Sequence, residues 1–207
     1  MKEEKFLMEG ISNYAQRKFN PAYLRGGVCN VTSAANLLIS SGINFDFPNT
    51  RLPEYLYQTL YTEEGFKVFM KSWFYGKSMR EYVATMLNWV INKFLKEHAH
   101  LKENVWAIYR DKVTVKNLID FIDRGFPTLF LGSFLNDNRK LDHYAVITGY
   151  LKNDDRIEKI ILTDGWGDWN TNYTNKVGYK VYIDIKDFKE KIYHGITVNF
   201  DPLAKVL

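Results

Sequence analysis

HYAVITGYLKNDDRIEKIILTD, residues 143–164, alternates apolar and polar side chains on both sides of a polar, turn-forming centre. A period of two marks a half-buried strand, and two such runs joined by a few turn residues make an antiparallel hairpin. A turn centred near Asn153–Asp154 sets His143 opposite Asp164. Side chains directly opposed on one face of an antiparallel pair have Cβ atoms about 4.5–5.5 Å apart. A slip of one residue would send one of the two to the other face. Both residues stand at the open end of the hairpin, where a cleft can reach them.

The same period extends outward. TLFLGSF (128–134), YKVYIDI (179–185) and GITVNF (195–200) read as further strands, with KDFKEKI (186–192) a short helix before the last. Upstream the period changes. Residues 50–112 are helical in pattern, with Asn49 or Thr50, Thr62, and a Ser78–Glu81 capping box as start signals. Another helix runs from about Thr114 through Leu118 and Ile122 and is stopped by Gly125 and Pro127. Residues 29–41 place Val31, Ala34, Ala35 and Leu38 at helical spacing and end at Gly42, a suitable residue for the position after the last turn. Helices first and strands later describe an α+β domain on an antiparallel sheet.

That early helix carries the chain's one cysteine, Cys29, in its first turn. A lone cysteine is usually a small buried hydrophobe, but its company here points to chemistry. A thiol at a helix N-terminus lies at the positive end of the macrodipole, and a nearby imidazolium favours its thiolate form. The imidazole needs a third group to fix its tautomer, and an Asp across the hairpin can provide it. Cys29, His143 and Asp164 therefore form a candidate triad, in the chain order of papain-like cysteine enzymes. Asp142 adjoins His143, but in a strand it points to the opposite face. Trp166 and Trp169 flank Asp164 and read equally as core packing or as a shield keeping water off the His–Asp bond.

Composition sets the remaining bounds. The 207 residues are 46% hydrophobic, 25% charged and 16% aromatic, enough for a sizeable core and unlike a disordered chain. A net charge of +4 spread along the sequence gives no basic footprint for nucleic acid. No apolar run reaches the roughly 18 residues of a membrane span, and the charged first ten residues do not read as a signal peptide. A lone cysteine forms no intrachain disulfide and fits a cytoplasmic protein, while secretion from bacteria is equally compatible. His98, His100 and His194 stand at no metal-ligand spacing, and Asp164, Asp168 and Asn170 lack the EF-hand pattern, so no metal or other cofactor is expected.

Four stretches together resemble the C39-like peptidases of the papain-like clan, including stand-alone members from bacteria and their phages. They are YAQRKFNPAYLRGGVCNVTSAANLL (14–38), DRGFPTLFLGS (123–133), LDHYAVITGY (141–150) and ILTDGWGDWNTNYTNKVGYKVY (161–182). The resemblance implies a papain-like fold, Cys29 as nucleophile, His143 as base, Asp164 as its orienter, and Gln16 as the oxyanion-hole side chain; on the residues alone, Asn13 or Asn20 could supply that donor instead. It implies a peptide or protein substrate. Asn30-Val31 stand where the family more commonly has Gly-Pro, and Asp164-Gly165 where it has Asp-Pro. Residues 1–207 read as one such domain with a helical insertion over about 50–112. Acyl transfer of the transglutaminase kind, cell-wall amidase chemistry, or a binding or toxin-like module with an idle triad are the other readings.

Overall fold

A seven-stranded antiparallel sheet forms the centre of the fold, with helices against both faces. The computed structural model describes residues 2–8, 29–74, 79–100, 105–136, 139–171, 174–175, 177–187 and 192–200. In chain order its elements are β1 (Lys2–Phe6), α1 (Cys29–Ser40), α2 (Leu52–Leu60), α3 (Glu63–Phe74), α4 (Met79–His98), β2 (Val105–Arg110), α5 (Val115–Asp123), β3 (Thr128–Asn136), β4 (Arg139–Asn153), β5 (Arg156–Thr163), β6 (Val181–Asp184) and β7 (Ile192–Phe200). The strand order is β2-β7-β3-β4-β5-β6, and β1 pairs with β4. β3 takes Arg139 to Ile147 of β4, and β1 takes Gly149 to Asn153.

Alternation along the strands divides the core. Leu129, Val146, Ile196 and Val198 face α1, α2 and α4. Phe130, Ala145, Ile147, Ile160 and Leu162 face the other way, against Leu118 and Ile122 of α5. α1 is buried along most of its length, from Val31 through Leu38, as expected of a helix with small and apolar residues on several sides. Gly42 follows it at φ +69°, the left-handed conformation that glycine adopts without strain. Thr62 caps α3 by accepting from the Gly65 N–H, and Thr114 with Asn117 makes a reciprocal capping box on α5.

Three elements differ from the periodicity reading. Val105–Arg110 is a strand rather than the end of a helical stretch, because it pairs with β7 and buries Val105 and Ala107 while Trp106 on the other face is partly exposed. Lys2–Phe6 looks like a solvated charge run, yet it pairs with β4. Its charges meet partners at the sheet edge: Glu3 with Lys152, Glu4 with Lys180, and Lys5 with Asp123. In the stretch read as helix 186–192, Asp187 closes a turn on Asp184 and Ile192 already belongs to β7. Residues 188–191, Ser78 of the expected capping box and Gln16 lie outside the described residues.

One hydrogen bond couples the first helix to the sheet. Ser33 Oγ, one turn beyond Cys29, donates to the backbone carbonyl of Tyr144 at 2.8 Å. The residue before Tyr144 is His143, so this bond sets the N-terminal turn of α1 against the strand that carries the histidine. Ser33→Ala should lower unfolding stability by about 1 kcal/mol in urea titration. An unchanged midpoint would show that packing alone holds α1 in place.

Candidate active site

Cys29 is the first residue of α1 and is half-buried. His143 and Asp164 are almost wholly buried, and His143 Nε2 lies 2.8 Å from Asp164 Oδ1. The imidazole's other side-chain hydrogen-bond partner is Cys29. Carboxylate, imidazole and thiol thus form one continuous chain across the end of the sheet.

The route by which Asp164 reaches His143 differs from a simple facing pair. Val146 pairs with Thr163, so the hairpin register is shifted by two residues from a turn centred on Asn153–Asp154. The shift arises from the turn, which lies at Asp154–Asp155, with Asp154 at φ +52°; the irregularities between Leu151 and Lys152 and around Thr148 offset each other. Extending that pairing sets Asp164 across from Ala145 rather than His143. Two residues is an even slip, so Asp164 and His143 keep the same face and meet on the diagonal.

The loop beyond β5 holds the carboxylate. Asp164 Oδ1 accepts a second hydrogen bond, from the Trp166 backbone N–H at 2.8 Å, and the Asp164 N–H donates to the Gly178 carbonyl at 2.8 Å. The Trp166 ring is tilted over His143 with centroids 5.1 Å apart. It therefore packs directly on the imidazole, whereas the side chain of Trp169 is outside the described residues, as is that of Asp142. Gly178 is where the sequence has no freedom. A Cβ there would fall 1.7 Å from the Asp164 carbonyl oxygen and 2.8 Å from its carbon, so any side chain must push the Asp164 backbone away.

Electrostatics follow from this enclosure. Burial by itself disfavours a charged His143, but the Asp164 carboxylate, by charge and hydrogen bond, and then Cys29 outweigh it and push the imidazole up to about 10. Because the folded value lies above the ordinary histidine value of about 6.5, the pair's stabilising contribution is complete below about pH 6.5. It is lost as pH rises through about 10.

Other titratable residues have structural surroundings. His194 is buried, with the Tyr109 hydroxyl 2.8 Å from Nδ1 and Asp111 at 3.5 Å. His98 stacks among Phe47, Tyr55 and Phe94, and His100 is exposed. Asp168 Oδ1 accepts from the backbone and side-chain nitrogens of Asn170, closing the loop on itself. Among the described residues no three His, Cys, Asp or Glu side chains are grouped to hold a metal ion. None of the described helices is long and apolar enough to cross a membrane. Sequence reading passed over Ser33, Gly178 and the Trp166 N–H. The GWG and VGY signals lay in a quoted stretch, but which glycine faces which backbone is a matter of tertiary approach.

A Bacillus anthracis crystal structure assigned as a C39-like peptidase superposes with a TM-score of 0.55 at 15% identity, covering 96% of this chain and 99% of that one. A structure from work on the mite allergens Blo t 1 and Der p 1 gives a TM-score of 0.48 at 12% identity, covering 92% of this chain and 67% of that one. No curated protein sequence matches the chain. The fold is the mixed α+β one of papain-like peptidases, with N-terminal helices packed on an antiparallel sheet. The Peptidase_C39 like family model matches residues 8–197, and the chain belongs to that family.

Two measurements check the buried pair. In 15N NMR, His143 should titrate well above the ordinary histidine midpoint, and Cys29→Ala should move the midpoint down by removing one partner of the charged imidazole. A midpoint near 6.5 in both proteins would contradict the coupling. Gly178→Ala should likewise lower the His143 midpoint, because the displaced Asp164 no longer supports the proton. A variant with the wild-type titration would mean that the loop accommodates the methyl elsewhere.

Proposed function

We propose that this chain is a cysteine peptidase that cleaves a peptide or amide bond through a thioester acyl-enzyme. Membership in a peptidase family supports a peptide substrate. The single observation that carries the chemistry is the buried Asp164–His143 hydrogen bond with Cys29 as the imidazole's other partner.

In this reading the proton that Cys29 gives up already rests on His143 before substrate arrives, as the raised imidazole midpoint favours, and the sulfur attacks the carbonyl carbon of the scissile bond. The carbonyl oxygen takes the negative charge. The backbone N–H of Cys29, at the start of α1, is one donor to it. The side-chain amide of Gln16, assigned by family resemblance, is the second. As the tetrahedral centre collapses, the C–N bond breaks and His143 passes its proton to the leaving amine. A water then loses a proton to His143 and adds to the thioester carbon. The C–S bond breaks, the acid is released, and the proton taken from water stays on His143. Asp164 keeps Nε2 as the nitrogen that holds its hydrogen throughout, which leaves the other nitrogen to exchange protons with Cys29, amine and water. Trp166, packed on the ring, limits water at that bond.

Cys29→Ala should retain the fold and melting temperature and fall below about 1% of wild-type turnover, since a covalent nucleophile supplies several orders of magnitude. The assay is digestion of a denatured protein mixture followed by mass spectrometry. Wild-type protein should also be alkylated at Cys29 by iodoacetamide near about pH 6, and His143→Ala should slow this at least tenfold. Undiminished cleavage by Cys29→Ala would remove the cysteine as nucleophile. Absence of both cleavage and His143-dependent labelling in the wild type would leave a binding module in place of an enzyme.

A further inference from the structure

A cavity of about 400 Å³ opens between α2, α3 and α4, lined among the described residues by Leu60, Tyr61, Phe66, Tyr82, Met86 and Leu87, with Asn30 of α1 also in its wall. Asn30 follows Cys29 in the first turn of α1, so one wall of the cavity is one residue away from the cysteine along the helix. The geometry points to this cavity as the pocket that receives one large apolar or aromatic side chain of the substrate, close to the scissile bond. The inference rests on the peptidase reading above and adds the class of residue the enzyme selects.

Three features fix that occupant. The first is size. The volume is at the lower end for ligand pockets, about 300–1,000 Å³, which suits a side chain better than a folded partner. The second is chemistry. Among the described residues no charged side chain lines the cavity, and an oxygen of each of its two small polar residues is already engaged within the protein. Thr62 Oγ1 donates to the Thr59 carbonyl and accepts from the Gly65 N–H, and Asn30 Oδ1 accepts from the Val31 N–H. A charged side chain entering here would surrender its water with no opposite charge among the described lining residues, whereas an aromatic or long aliphatic one gains by leaving water. The third is exposure. Tyr61 and Phe66 are 74% and 59% exposed and both belong to this cavity, while the other large exposed apolar residues among those described, Trp106 and Val177, lie outside it. Exposed aromatic surface gathered at one rim beside a reactive thiol is the arrangement of a recognition site.

The cavity also gives the helices between α1 and β2 a purpose beyond packing. They build the wall from α2–α3 on one side and α4 on the other, and Leu87 roots that wall in the core beneath α1.

The test is a cleavage profile of a denatured protein mixture by mass spectrometry, comparing wild type with two variants. Wild type should show Phe, Tyr, Leu or Met enriched at one position near the cut. Met86→Trp fills the cavity, and kcat/KM for a peptide with Phe at that position should fall about 10- to 200-fold, while a matched peptide with Ala there is spared. Phe66→Lys sits at the exposed rim, where folding is not at stake, and should reduce the same enrichment in the same direction. Wild-type cleavage with no apolar preference, or a preference that both variants keep, would overturn the pocket assignment while leaving the peptidase reading intact. Such an outcome would fit a cavity occupied by another part of this chain or by a different partner. No cleavage by wild type, together with no His143-dependent labelling of Cys29, would overturn the peptidase reading instead.

Discussion

Burying an imidazole and a carboxylate together at the end of a sheet costs several kcal/mol per ion unless their hydrogen-bonding capacity is met. His143 and Asp164 meet that condition through each other, through the Trp166 N–H on Asp164 and through Cys29 on the far side of the ring. The consequences spread outward. The chain must turn sharply after β5 so that Asp164 can reach diagonally to β4. That turn brings Gly178 so close to the Asp164 backbone that no side chain fits. The same strand that presents His143 receives the Ser33 hydroxyl from α1 and thereby sets the thiol.

β4 is accordingly the organising element. Its first part pairs with β3, its later part with β1 on the same edge, and its other edge carries β5. Its side chains alternate between the α1–α4 core and the α5 core, so the strand is buried from both sides. A site built on such an element is held by packing from two directions, which favours a thiol–imidazole geometry that persists without substrate. The polar end of the site and the apolar cavity are then two walls of one region. In the proposed reading the α1–β4–β5 junction supplies the chemistry, and the apolar wall comes from α2, α3 and α4.

The surface charges follow a different logic. Glu3, Glu4 and Lys5 pair with Lys152, Lys180 and Asp123 across the β1 edge. Exposed pairs of this kind are worth about 0–1 kcal/mol each. Their role is more readily that of making an edge strand compatible with water, since charged edges discourage pairing with other chains.

Much of this was legible in the residues. Helix α1, its cysteine at the start and Gly42 at its end, the α5 caps, and the hairpin of β4 and β5 all follow from local period and turn chemistry, which act over a few residues. The even spacing that puts His143 and Asp164 on one face was legible as well, because the period of two survives a two-residue error in register. What the sequence could not state by itself is anything set by partners distant in the chain. Val105–Arg110 is a strand because β7 offers it an edge, and Lys2–Phe6 because β4 does. Trp166 packs on His143, Gly178 presses on Asp164 and Ser33 reaches Tyr144 only after the sheet has formed. Local propensity decides which segments are helix or hairpin; the close approaches that align a thiol, an imidazole and a carboxylate belong to tertiary packing, because backbone pairing and steric exclusion act between residues far apart in sequence.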